Sequence, residues 1–253
     1  MADSYTYATL RNEIITNDKP NATENDLVFD NYAVERFRLN DDPIMYPSID
    51  WRRYLLNKTS VQTQHNLNIS GGTKDIRYFI SLGFLYQNGL LKQFEGVGYD
   101  NNYKYKRYNY RANLDFDATK TTTLKIGIGG IVGNRNEPMI NDATNSIWTL
   151  INQTTPFSSP GVIDGKLIVT PEERFDNKIN LGNSALPKCY GTGYSTAINN
   201  TMNLDLLLNQ KLDFITKGLS AEIKGAYNTS YGFTKKRKGQ VEQFMPFYQS
   251  SLE

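Results

Sequence analysis

IRYFISLGFLY, residues 76–86, puts an apolar or aromatic side chain at every even position: Ile76, Tyr78, Ile80, Leu82, Phe84 and Tyr86. RYNYRANLDFD, residues 107–117, repeats the pattern with Tyr108, Tyr110, Ala112, Leu114 and Phe116 at even positions. Its odd positions are Arg107, Asn109, Arg111, Asn113, Asp115 and Asp117. Side chains on a strand alternate between faces with a period of two, so both stretches read as amphipathic strands. One face of the sheet is apolar with aromatic ends, and the other is polar and charged. What the apolar face meets decides the fold.

The same alternation predicts strands at about 61–71, 75–87, 105–117, 123–134, 196–213 and 219–234. Tight turns are expected at GGTKD (71–75), ATKTTT (118–123) and FITKG (214–218), where glycine accommodates positive φ. The other connections are long: about 88–104, and then 135–195, with a helix expected at 142–152 and a type I′ hairpin at Asp164-Gly165. Residues 1–60 read as a helical and irregular segment ahead of the strands. Tyr7, Leu10 and Ile14 fall at helical spacing, Asp18-Lys19-Pro20 stops that helix, and Thr23 with Asp26 caps a second one. One helical turn is expected from Trp51 to Leu56.

Composition narrows the class. Net charge is +2 from 28 basic and 26 acidic residues, which gives no whole-chain argument for nucleic acid. A single cysteine, Cys189, excludes an internal disulfide framework. No run of apolar residues approaches the ~18 of a membrane helix, and a mean hydropathy of -0.54 says little about barrels, whose strands are only half apolar. MADSYTYATL, residues 1–10, carries neither a basic n-region nor an apolar h-region, so no signal peptide is expected in this chain.

Short turns alternating with long loops are the pattern of transmembrane barrels, and the strands exceed the ~9–11 residues that cross the hydrocarbon layer. In that reading Phe84, Tyr86, Tyr108, Tyr110, Tyr231 and Phe233, at the long-loop end of the apolar face, form an interfacial aromatic girdle. Arg107, Arg111, Asp115, Asp117, Asp205 and Lys211, on the opposite face, line a lumen and contact a plug or a substrate.

YPSIDWRRYLL (46–56), QTQHNLNISGGTKDIRYFISLGFLYQNGLLK (62–92), YKYKRYNYRANLDFDATKTTTLKIGIGG (103–130) and NQKLDFITKGLSAEIKGAYN (209–228) together resemble successive hairpins of SusC/RagA-type TonB-linked outer-membrane receptors. SYTYATLRNEII (4–15) resembles the helical segment placed early in their barrel region. The resemblance spans about residues 1–235. It implies an all-β fold: an antiparallel, curved sheet of about six strands, part of a barrel of about 22 strands, with short helices in the N-terminal segment and the long loop. On this reading residues 61–253 are a partial barrel, residues 135–195 are an extracellular loop, and the chain is an internal fragment.

The resemblance further implies an outer-membrane importer of oligosaccharides or peptides. Its partners are outer-membrane lipid, its own plug domain and remaining strands, a SusD-like lipoprotein, and TonB through a region outside this chain. No cofactor and no catalysis are implied. Two alternatives stand beside it: a soluble β-sandwich carbohydrate-binding module, whose second sheet buries the apolar face, and a gene fragment without function of its own.

No residue nominates an enzyme. His65 is the only histidine, and no phosphate loop, CxxC, HExxH or GxSxG is present. YKYKRYNYR (103–111) mixes basic and aromatic residues but sets Arg107 and Arg111 opposite Tyr108 and Tyr110, which disfavours a nucleic-acid platform. Lys104 and Lys106 share the tyrosine face beyond Tyr108, where they can reach lipid headgroups. KKRK (235–238) reads as a cationic rim after the last strand. Trp148 and Phe157 read either as contacts for a glycan or partner lid or as packing within the loop.

Overall fold

The computed structural model describes residues 2–94, 96, 98–139, 146–175, 178–181 and 184–247. Six long strands form one antiparallel sheet in the order β1-β2-β3-β4-β7-β8: β1 Gln62–Gly72, β2 Ile76–Asn88, β3 Lys104–Asp117, β4 Thr122–Pro138, β7 Gly193–Lys211 and β8 Ser220–Lys238. Each ladder holds a single register from end to end, so no bulge turns a residue onto the wrong face. Among the described residues β1 pairs only with β2 and β8 only with β7, so the sheet is open, with two free edges.

The two ends of the sheet differ. At one end Gly72 pairs with Arg77, Asp117 with Thr123 and Lys211 with Ser220, across the three turn connections. Asp213 accepts the Gly218 N–H at 2.7 Å and Gly218 takes φ +85°, so the third connection is an eight-residue loop, 212–219, rather than a tight 214–218 turn. At the other end Gln62 pairs with Gln87, Lys104 with Asn136, Pro138 with Tyr194 and Gly193 with Lys238. Every long connection and the N-terminal segment join the sheet there and fold together into a crown.

The crown's helices have local causes. α1 (Ser4–Asp18) begins where Asp3 accepts the Thr6 N–H at 2.7 Å and ends ahead of Pro20. Thr23 and Asp26 do form a capping box, but on a single 3₁₀ turn, Glu24–Asp26; the second α-helix, α2 (Asn31–Leu39), starts later, capped by Asp30. α3 (Trp51–Leu55) is capped by Asp50. In the long connection, α4 spans Ile147–Gln153, and residues 142–145 of the expected 142–152 helix lie outside the described residues. β5 (Gly161–Ile163) and β6 (Lys166–Ile168) form the expected hairpin, with Asp164 at φ 49° and Gly165 at φ 73° as a type I′ turn requires. α5 (Ala185–Tyr190) follows, and β9 (Gln243–Phe244) pairs with β6.

The crown holds both hydrophobic clusters. One joins Trp51 and Leu55 of α3 to Leu91, Leu150, Ile151, Leu167, Leu186 and Cys189. The other joins Ala8, Phe29, Phe37 and Met45 of the N-terminal segment to Phe157, Phe175 and Leu181 of the long connection. Phe157 is fully buried, so it is packing within the crown. The Trp51 indole donates to the Thr155 carbonyl at 2.8 Å, tying the two segments across 104 residues.

Candidate membrane and lumen faces

Cross-strand partners point to the same face, so the register assigns every side chain of the sheet. One row runs His65, Phe84, Tyr108, Val132, Asn200 and Tyr231; the next toward the crown runs Thr63, Tyr86, Lys106, Asn134, Ile198 and Phe233. Rows toward the turns carry Leu67, Leu82, Tyr110 and Met202, then Ile69, Ile80, Ile128 and Leu204, then Tyr78, Leu114, Ile126 and Leu206. A single apolar face therefore crosses all six strands.

No second layer covers it among the described residues. Leu67 is 56% exposed, Leu82 49%, Leu206 48% and Ile223 70%, and neither core cluster includes a residue of this face. Burying such side chains is worth about 1.5–3 kcal/mol apiece, so an uncovered apolar face of this extent marks a surface made for an apolar medium or partner. Among the described residues no helix is long and apolar enough to cross a membrane.

The six residues expected to form a girdle lie in adjoining rows at the crown end of this face. Phe84 and Tyr108 rings meet at 5.1 Å and His65 stacks on Phe84 at 6.4 Å. Tyr110 lies over Gly130, where an added Cβ would come within 2.5 Å of its hydroxyl oxygen. Tyr231 and Phe233, on the edge strand, are 62% and 48% exposed.

The polar face separates the expected lumen residues into groups. Near the turns, Arg77 lies 3.9 Å from Asp115 and 3.6 Å from Asp117, and Lys224 lies 4.0 Å from Asp205. Thr123 donates to Asp117 at 2.8 Å. Arg77, Asp115, Asp205 and Lys224, with Lys125 and Asn113, line a shallow cleft of about 450 Å³. Arg111 sits apart, opposite Ser81 and Gly129, and Lys211 sits at the last position of β7, opposite Ser220. Arg107 lies opposite Leu85 and Gly133, and its Nε is buried without a hydrogen-bond partner among the described residues. Arg77, Lys125 and Lys224 were not singled out in the sequence. Their alternation placed them on the polar face, but only the register shows which carboxylates they meet.

KKRK does not follow the last strand; it completes β8, which runs to Lys238. Lys235 and Arg237 therefore point to the apolar face, opposite Thr196 and Tyr194, while Lys236 and Lys238 point to the polar one. In the crown, Trp148 is 53% exposed. Burial among apolar neighbours pushes the Cys189 thiol up to about 12, which makes it an inert core residue.

No family model matches the chain. It is 25% identical over 171 residues to TonB-dependent receptor SusC of Bacteroides thetaiotaomicron, an alignment covering 62% of this chain and 16% of that receptor. The chain resembles the SusC/RagA type of TonB-dependent receptor. It spans about a sixth of the length of that relative. Among solved structures it is similar to the RagAB peptide transporter, with a TM-score of 0.49, 17% identity, and coverage of 76% of this chain and 20% of that one. It is also similar to the RagAB peptide importer in the closed-closed state, with a TM-score of 0.47, 18% identity, and coverage of 73% and 19%. The open, six-stranded antiparallel sheet with short helices agrees with the fold class that the SusC/RagA resemblance implies.

Proposed function

We propose that this SusC-like chain is a section of the wall of an outer-membrane nutrient importer. The uncovered apolar face is the lipid face, the polar face lines the lumen and contacts the plug, and the crown is extracellular. The single observation that supports this most is the apolar face itself, continuous over six strands and outside both core clusters. The free edges of β1 and β8 fit the same reading, because unpaired backbone groups in a bilayer must be satisfied by further strands. The intact importer takes up oligosaccharides or peptides, with a SusD-like lipoprotein seated at the crown end and TonB acting through a region elsewhere in the protein.

Spin labels at Leu82, Leu114 and Leu206, in the outer-membrane protein that carries this stretch, test the assignment. Labels there are expected to collide with oxygen dissolved in lipid and to be shielded from a water-soluble nickel chelate. Labels at Ser81, Asn113 and Asp205 are expected to show reduced collision with oxygen. A dry, immobile environment for both reagents at the first set overturns the barrel wall and supports the sandwich module.

A further inference from the structure

The charged residues of the long strands are distributed unevenly between the two faces. The polar face mixes signs along its length, with Arg77, Asp115, Lys125, Asp205, Glu222 and Lys224 near the turns alone. The apolar face carries four charged strand residues, Lys104, Lys106, Lys235 and Arg237. All are cations, and all lie at the crown end of the face, Lys106 in the row of Tyr86 and Phe233 and the other three beyond that row. Lys106 is one same-face step past Tyr108, and Lys235 is one past Phe233. Lys104 is neutralised by Asp100, its ion-pair partner. Lys106, Lys235 and Arg237 are exposed and make no ion pair among the described residues.

We propose that Lys106, Lys235 and Arg237 form a phosphate-binding belt for membrane lipids in the leaflet at the crown end. The inference rests on the lipid-face reading above and adds the chemistry of its rim. Three features support a membrane-anchored phosphate. The cations share a face with the apolar rows, so a ligand bound there has acyl chains lying along Leu82, Leu114 and Leu204. A same-face step is ~6.8 Å along the strand, or ~5 Å of depth at a ~40° tilt, and a long cationic side chain extends further toward the headgroups from there. The belt spans β3 to β8, three strand spacings or ~14 Å, wide enough to serve adjacent lipid headgroups. Asn134, between Lys106 and Ile198 in the row, adds an exposed neutral amide.

The alternation of β8 supplies a matched control. Lys235→Gln with Arg237→Gln and Lys236→Gln with Lys238→Gln remove the same charge from the same strand end and differ only in face. Binding of the barrel protein that carries this stretch is measured by flotation at low ionic strength. The vesicles are pure phosphatidylcholine, or phosphatidylcholine with a third phosphatidic acid. Wild type is expected to prefer the anionic vesicles. The 235/237 pair is expected to lower that preference about 25-fold, at about fivefold per surface cation, and the 236/238 pair to leave it unchanged. Equal losses from both pairs, or no preference in wild type, overturn the belt while leaving a vesicle-bound barrel intact. Failure of wild type to associate with either vesicle overturns the lipid-face reading as well. Loss of the preference in 10 mM inorganic phosphate shows a site for free phosphate and overturns the membrane source.

Discussion

An arginine scan of β7 tests the two faces most directly. The apolar positions of this strand run from Ile198 to Leu208, interleaved with Asn199, Asn203 and Asp205 on the other face. Ten residues at ~3.4 Å are ~34 Å of strand, and a tilt of ~40° reduces this to ~26 Å of depth, which matches the ~25 Å apolar band of a membrane barrel. Leu204 then lies ~3 Å from the midplane, and Ile198 and Leu208 lie ~13 Å from it on opposite sides. Leu204→Arg should cost about 2–4 kcal/mol, and Ile198→Arg or Leu208→Arg about 0–1 kcal/mol, because an arginine near the interface reaches water. Asn203→Arg, one residue from the most costly position, should cost close to nothing. Urea unfolding of the barrel that carries this stretch, folded into phosphatidylcholine vesicles, measures each difference. A cost at Asn203 equal to that at Leu204 would refute the face assignment. A cost at Ile198 as large as at Leu204 would refute the depth argument, since a soluble sandwich core penalises burial without regard to position along a membrane normal.

Three further outcomes concern the crown and the sheet. Phe157→Ala removes a fully buried ring that packs at 5.2 Å against Tyr7, Phe29 and Phe175, and should destabilise the crown by about 3–5 kcal/mol, seen as earlier proteolytic cleavage between residues 20 and 60. Gly130→Ala should cost about 1–3 kcal/mol even when Tyr110 is also alanine, because the new Cβ would sit 2.3 Å from the Thr201 carbonyl as well as against the ring; chemical denaturation of the single and double variants checks this. Burial raises the Cys189 thiol from 9.0 to about 12, so the folded state favours the neutral thiol. That contribution to stability is complete below the ordinary thiol range and is lost as pH rises toward about 12. Iodoacetamide at pH 8 should alkylate Cys189 at least ~1000-fold more slowly in the folded chain than in urea.

The sheet was legible because nothing interrupts it. With every ladder in one register, even and odd positions keep their faces for the full length of a strand, and Tyr108 on β3 could be matched to Phe84 on β2 without knowing their pairing. The crown was less legible, because its causes are not local. Leu10 and Ile14 mark an apolar stripe on α1, yet they are 52% and 50% exposed, while Ala8 and Ser4 are buried. Small residues face the core there because the helix packs closely: the Ser4 hydroxyl donates to the Pro47 carbonyl at 2.7 Å, a partner 43 residues away. Phe157 and Phe175 meet Phe29 across more than 120 residues, and no periodicity encodes that. The polar-face ion pairs were hidden for a related reason. Arg77 was readable as a polar-face residue, but its closeness to Asp115 and Asp117 depends on where β2 begins against β3.

The crown also explains how the sheet keeps its order. β4 and β7 are neighbours although residues 139–192 separate them, and closing a loop of that length has an entropic cost that grows only as (3/2)RT ln n. The larger cost lies in ordering the connection itself, at roughly 1–2 kcal/mol per residue. The connection offsets it by burying Leu150, Ile151, Phe157, Leu167, Phe175 and Leu186 against residues 8–55. Among the described residues nothing equivalent holds the turn end, where Phe214 and Ile215 are 81% and 62% exposed. The chain thus satisfies its own apolar groups at one end and leaves them uncovered along one face and at the opposite tip. That distribution is what a wall segment requires if the crown folds in water and the rest of the sheet is completed by lipid and by further strands.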